Sequence, residues 1–295
     1  MNLKIIVLAK QVPDTRNVGK DAMKDDGTVN RSALPAIFNP EDLNALEQAL
    51  RLKDQFPCTT VTLLTMGPSR AADIIREGLF RGADDGYLLT DRVFAGADTL
   101  ATSYALHKAI KKMGDFDIII CGRQAIDGDT AQVGPQVAEK LNIPQITYAE
   151  EIQSIDNGKI TIKRRLERGV EVVEAKLPVL VTVTGSAPNC RPRNAKLIQK
   201  FKYTPLHPKG GVTPQPPEGG VKSPKSPSGD LGVGVEWNAI DIEADIIQCG
   251  LSGSPTKVKK IENVVFQAKE SKTLDSSDGE IESLMVELIT NHTIG

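Results

Sequence analysis

The chain has 295 residues, of which 40% are hydrophobic and 25% charged, with a net charge of −2. That is the make-up of a globular protein long enough to bury one large core or two smaller ones. The near-neutral charge excludes a general pull toward nucleic acid or anionic membrane, and 4% aromatic content excludes a broad base-stacking surface.

Leu3 to Ala9 reads as a buried parallel strand, too short for a secretory signal, and no run is long enough to span a bilayer. Cys58, Cys121, Cys190 and Cys249 lie far apart and form no CxxC pair, so neither a zinc site nor a redox dithiol is signalled. Buried thiols in a reducing, cytoplasmic setting are expected. The strand ends in the loop Lys10-Gln11-Val12-Pro13-Asp14-Thr15, and residues 16–31 read as an excursion with a hairpin around Asp26-Gly27. Asn39 then stands as N-cap, with Pro40 at the first helical position, Glu41 and Asp42 in an acidic first turn, and Leu43, Leu46 and Leu50 on the buried face.

Thr59 to Thr65 is the next strand, and Met66-Gly67-Pro68-Ser69 turns into a helix that Gly82 stops. A short strand at Gly86 to Thr90 and a helix from about Ala97 to Met113 follow. The helix carries His107, read as structural or solvated. Phe116 to Cys121 is apolar and branched enough for a strand buried on both faces. After it comes Gly122-Arg123-Gln124-Ala125-Ile126-Asp127-Gly128-Asp129-Thr130-Ala131-Gln132-Val133-Gly134-Pro135, running into a helix with Pro135 in its first turn.

A strand, a Gly-rich polar loop and a helix N-terminus in that order make a place for an anion, because free N–H groups and the positive end of the dipole meet there. The loop matches neither GxGxxG nor the Walker pattern. Asp127 and Asp129 are expected to meet ribose hydroxyls or backbone N–H groups, while Arg123 and the helix terminus face the charge. Strands and helices alternating at this spacing predict a doubly wound, mostly parallel α/β sheet, whose ligands bind beyond the carboxyl ends of the strands. Four polar junctions, at Ala9 to Thr15, Asn39, Met66 to Ser69 and Gly122 to Gly134, then converge on one crevice.

From Tyr148 the texture changes to strands, with a hairpin at Asn157-Gly158 and a second pair expected from Val170 to Val173 and Val179 to Val183. The stretch Ala187 to Ile198 reads as a basic loop with an apolar tip, suited to docking a partner. Residues 205–230 hold seven prolines and five glycines and read as a linker between a nucleotide-binding domain at 1–204 and a C-terminal arm at 231–295. The arm ends in an amphipathic helix with Ile281, Leu284, Met285, Leu288 and Ile289 on one side.

Taken together, these residues resemble the beta subunit of electron transfer flavoprotein. The carriers are Val7-Leu8-Ala9-Lys10-Gln11-Val12-Pro13-Asp14, Asn39-Pro40, Gly67-Pro68, Gln124-Ala125-Ile126-Asp127-Gly128-Asp129 with Gln132 and Gly134, Leu177-Pro178, the Asn189 to Leu197 loop and Gly229-Asp230-Leu231-Gly232-Val233. The resemblance implies a heterodimer with an alpha subunit and an adenine nucleotide held by Leu8, Ala9, Val12, Pro13, Asp14, Asn39, Pro40, Glu41, Asp42, Met66 and Arg123 to Gly134. It implies AMP in members that only relay electrons, and a second FAD that meets NADH in electron-bifurcating members. Asp127 to Pro135, Val12 to Thr15 and the tail Gly250-Leu251-Ser252-Gly253-Ser254-Pro255-Thr256 resemble the bifurcating version. That version implies a flavin dehydrogenase of the acyl-CoA or 2-hydroxy acid type as one electron acceptor, docked at Arg191, Arg193 and Leu197, and ferredoxin or flavodoxin as the other. No nucleophile, acid–base pair or metal set is expected, since hydride chemistry would be the cofactor's.

Overall fold

The computed structural model describes residues 1–14, 35–202, 207–208, 234–256, 275 and 277–290. From β1 (Lys4–Leu8) the chain enters β2 (Gln11–Pro13), which pairs antiparallel with β3 (Ala36–Phe38). The hairpin expected around Asp26-Gly27 lies outside the described residues. Next come α1 (Pro40–Gln55), β4 (Thr60–Met66), α2 (Ala72–Arg81), β5 (Asp85–Leu89), α3 (Thr99–Met113), β6 (Ile118–Gly122) and α4 (Val133–Leu141). Then follow β7 (Gln145–Asp156), β8 (Lys159–Leu166), β9 (Gly169–Lys176), β10 (Val179–Val183), α5 (Ala195–Phe201), β11 (His207–Pro208) and β12 (Val235–Trp237).

The strands form a 10-stranded sheet in the order β11-β12-β5-β4-β1-β6-β10-β7-β8-β9, parallel up to β7 and antiparallel from β7 to β9. Period-two alternation sorts each central strand between two cores. Ile5, Val7, Ile118, Ile120, Val179 and Val181 face α1 and α2, whereas Ile6, Leu8, Ile119, Cys121 and Leu180 face α3 and α4. Each such side chain, fully buried, contributes about 1.5–3 kcal/mol. The doubly wound expectation holds. β1 has β4 on one side and β6 on the other, so the chain reverses its winding direction there, and the switch-point crevice opens at the carboxyl ends of β1 and β6.

Strand pairing departs from the sequence expectation at one place. β9 does not pair with β10: it is the sheet edge, bonded to β8, while β10 inserts between β6 and β7. Val179 to Val183 is apolar on both faces and is buried throughout, which demands the sheet centre, whereas Gly169 to Lys176 alternates valine with glutamate and lies mostly exposed. The Asn157-Gly158 turn forms as expected, with φ of 49° and 74°, the left-handed pair that a two-residue hairpin needs.

The arm set at 231–295 also divides differently. Residues up to Val258 belong to the first compact unit, because β12 extends the sheet beside β5. Carboxylates fasten this returning segment: Asp85 accepts from Gly234 N at 3.0 Å, Asp91 from Ala239 N at 3.1 Å, and Asp98 from Thr256 N at 3.1 Å. The linker at 205–230 lies outside the described residues apart from β11. The second unit, Lys259–Gly295, contains α6 (Asp278–Thr290), on which Ile281, Met285 and Ile289 are exposed. Cys121 and Cys249 are buried as expected, but Cys58 is exposed in the turn after α1. Among the described residues no helix is long and apolar enough to cross a membrane, and no cluster suits a metal ion.

Candidate functional site

The site forms around the N-terminus of α1. Asn39 occupies the N-cap position, yet its side chain makes no cap bond to the helix N–H groups. Instead its Nδ2 donates to Gln124 O at 2.9 Å, and its Oδ1 accepts from Ile126 N at 3.2 Å. Pro40 at the first helical position removes one of the N–H groups such a cap would serve. Glu41 pairs with Arg123 at 3.1 Å and accepts from Gln124 N at 2.9 Å. Asp42, buried, accepts from Lys10 N at 2.8 Å and from Gly122 N at 2.9 Å, so one carboxylate joins the ends of β1 and β6 across the switch point. Gly122 allows this approach, for a Cβ there would lie 2.5 Å from Asp42 Oδ1.

Burial dominates Asp42 and, with Glu41 adding like charge, pushes its carboxyl up to about 7 against the bonds from Lys10, Gly122 and Asn39. Burial, with Asp42 and Glu41 close by, likewise raises the Cys121 thiol, so Cys121 is a packing residue and no nucleophile. Gly134 packs directly on it, where a Cβ would lie 2.9 Å from Sγ.

The loop amides therefore divide into two groups. Those of Gly122, Gln124 and Ile126 are taken by α1 and Asn39 side chains, that of Arg123 by Val183 O, and those of Gly128 and Asp129 by Ala125 O. Past that point the chain turns through left-handed Asp129 (φ 47°) and Ala131 (φ 52°) into α4, whose N-cap Gln132 makes no side-chain cap bond. Among the described residues no acceptor meets the N–H of Thr130, Ala131, Gln132, Val133 or Gly134. Alanine in the left-handed region costs about 1 kcal/mol or more, strain of the kind that collects at binding loops. Gly128 is exposed, and nothing lies within 4 Å of where a Cβ would stand, which leaves the loop's outer face open.

Other expected residues are placed as follows. Leu8 ends β1 and Ala9 follows it, both buried, with Ala9 N donating to Leu64 O at 3.0 Å. Met66 ends β4 half-buried, Val12 and Pro13 lie in β2, and Asp14 is buried. Three charged residues of the loop meet protein partners. Arg123 is held by Glu41 and lies 6.0 Å from the Tyr148 ring instead of standing free for an anion. Asp127 is bridged by Lys10 Nζ at 2.7 Å, and Asp129 accepts from Gln124 Nε2 at 2.8 Å, so side chains rather than backbone amides hold both. Lys10 and Tyr148 are absent from the expected set. Lys10 was legible as the lone cation directly after β1, whereas nothing local marked Tyr148.

The tail Gly250 to Thr256 comes to the same edge. Ser254 Oγ accepts from Asp98 N at 2.8 Å at the start of α3, and the neighbouring Thr99 Oγ1 bonds Gln132 Oε1 at 2.8 Å.

The docking residues lie elsewhere. Arg191 binds Glu47 at 3.0 Å and Asp54 at 2.8 Å on α1, and Arg193 binds Glu77 at 2.7 Å on α2. Residues from 195 onward, expected as loop, form α5, capped by Asn194 through Lys196 N at 2.9 Å, with Leu197 half-buried against the core. His107 fits a structural role: it is half-buried on α3, and burial together with Lys111, Lys140 and Lys108 keeps its ring below the ordinary histidine range. A cavity of ≈ 380 Å³ lined by Leu50, Lys53, Asp54, Pro57, Gly82 and Arg191 lies toward the far end of α1, away from these amides.

Residues 26–205 match the electron transfer flavoprotein domain. The chain is 46% identical over 265 residues to the electron transfer flavoprotein subunit beta of Megasphaera elsdenii, covering 88% of this chain and 87% of that protein. It is 42% identical over 256 residues to the caffeyl-CoA reductase-Etf complex subunit CarD of Acetobacterium woodii, covering 87% and 86%. It is 38% identical over 297 residues to the protein FixA of Sinorhizobium fredii, covering 98% and 93%.

Proposed function

The chain belongs to the electron transfer flavoprotein family as a beta subunit, and on that premise we propose that it holds FAD at the Arg123 to Gly134 loop and accepts hydride from NADH there. Bound there, FAD would supply a route for electrons both to the alpha-subunit FAD, serving a flavin dehydrogenase, and to a low-potential acceptor such as ferredoxin or flavodoxin. The observation that carries the nucleotide reading is the row of unclaimed amides from Thr130 to Gly134, set at the start of α4 by two left-handed residues. Such a row suits a diphosphate.

In this reading the side chains of Asn39, Glu41 and Asp42 do not touch the ligand. They fix the first half of the loop so that the second half presents its amides without rearranging. Lys10 and Asp127 flank the mouth, the cation facing phosphate and the carboxylate facing ribose. Bound FAD would supply the hydride and electron chemistry; the chain supplies position and field.

The open face at Gly128 and the tail seated on α3 support a dinucleotide over AMP. Exposed Ile240, Ile246, Ile247 and Leu251 on the returning segment are the kind of surface that an alpha subunit covers. The same partner would cover the apolar face of α6, while Arg191, Arg193 and Leu197 would face the dehydrogenase, in the cytoplasm. Denaturing the co-purified heterodimer and counting released nucleotides tests this. Two FAD per heterodimer is expected; one FAD with one AMP would replace bifurcation by simple electron relay.

A further inference from the structure

Tyr148 sits where a glycine would be at ease. Its φ is +59°, at the point in β7 where the register against β10 shifts between Val181 and Val183. The shift leaves Tyr148 N donating to Thr182 Oγ1 at 3.3 Å, and the ladder resumes through Thr184 N to Ala149 O at 3.0 Å. A side chain in the left-handed region carries a steric penalty that glycine escapes. Core burial would offset it, but Tyr148 is 38% exposed, and among the described residues nothing bonds its hydroxyl. A bulge that turns a strained residue outward beside a ligand loop re-aims a side chain.

The ring is aimed at the edge described above. It precedes Ala149, the register partner of Val183, whose carbonyl accepts from Arg123 N at 2.8 Å, and its centroid lies 6.0 Å from the Arg123 guanidinium. Glu41 also holds that guanidinium, at 3.1 Å, so Arg123 is fixed beside the ring. An aromatic with two torsions and an adjacent planar cation make a stacking platform ordered at low entropic cost.

We propose that Tyr148, flanked by Arg123, is a binding residue of the site, giving a stacking surface to a planar heteroaromatic ring of the bound nucleotide. The proposal rests on the reading of the Arg123 to Gly134 loop as the nucleotide site. Adenine and the flavin ring share the chemistry that such a surface recognises: a flat π face with polar edges.

The test uses the full chain in its heterodimer, stripped of nucleotide at this site and titrated calorimetrically with AMP and with FAD. Tyr148→Leu keeps bulk but removes the π face, and it should weaken binding roughly tenfold. Loss of AMP and FAD affinity together places adenine on the ring; loss of FAD affinity alone places the flavin there. Tyr148→Phe should restore wild-type affinity. If Tyr148→Leu binds both probes as the wild type does, with only its denaturation midpoint changed, the ring is a packing residue and the proposal fails. If the wild-type heterodimer binds neither probe, the nucleotide reading of the loop fails, and this proposal with it.

Discussion

Asp42 sets two large effects against each other, and replacing it by asparagine shows which one prevails. The carboxylate accepts two backbone N–H groups, which favours its charged form, but it is buried with Glu41 beside it, which favours the neutral form. Burial wins, lifting the group from 3.8 to about 7. Because the folded value lies above the unfolded one, the folded chain binds the proton more tightly between these limits. The stabilisation is therefore fully present below pH 4 and is lost as pH rises through 7. Roughly three units at 1.36 kcal/mol each make about 4 kcal/mol, and relaxation of the surroundings brings this to about 2–4 kcal/mol.

An asparagine at this position would not titrate. It would also accept only one of the two N–H groups, at a cost of about 1–3 kcal/mol for the one left unpaired. Urea unfolding of wild type and Asp42→Asn at intervals from pH 4 to pH 8 should thus show the wild type ahead in acid, with its lead shrinking by about 2–4 kcal/mol toward pH 8. A lead that stays constant, or grows as pH rises, would mean that the amide bonds outweigh burial, and the reasoning would fail.

Gly122→Ala forces a methyl to within 2.5 Å of Asp42 Oδ1 and 2.8 Å of the Glu41 backbone. It should lower unfolding stability by about 1–3 kcal/mol and weaken nucleotide binding at the same time. Arg191→Met leaves the buried Glu47 carboxylate without its main partner, at a cost of about 2 kcal/mol near pH 7 by urea unfolding. Burial opposes ionisation of Glu47, but the bonds and charge of Arg191 overcome it and hold the carboxyl below its ordinary value. The lead of wild type over this variant should accordingly shrink as pH falls below about 4.5. Lys10→Met removes a partly exposed ion pair, so stability should move by no more than about 1 kcal/mol. AMP affinity of the heterodimer should drop severalfold in dilute buffer and recover toward wild type at high salt.

Much of the fold was legible because strands buried on both faces, such as Ile118 to Cys121, announce themselves by unbroken branched apolar residues. The βα junctions were legible for a related reason: Pro40, Pro135 and the acidic first turn of α1 mark helix starts that few other structures tolerate. What escaped was non-local. β10 and β9 are both strand-like, and only the requirement that Val179 to Val183 be covered on two faces sends one to the centre and the other to the edge. β12 joins the sheet after a Pro/Gly segment, so no spacing rule tied it to β5. Asn39 is legible as a cap position but not as a brace for Gln124 and Ile126, because the same amide side chain suits both tasks. The basic residues Arg191 and Arg193 look free in the sequence because their partners Glu47 and Glu77 lie far away along it.

The unclaimed amides can be watched directly. In a backbone amide NMR titration of the nucleotide-stripped heterodimer with AMP, the N–H signals of Thr130 to Gly134 should shift strongly. Those of Gly122, Gln124 and Ile126, already bonded to Asp42, Glu41 and Asn39, should scarcely move. Saturable AMP binding that leaves Thr130 to Gly134 unmoved would contradict the assignment of this loop as the phosphate site.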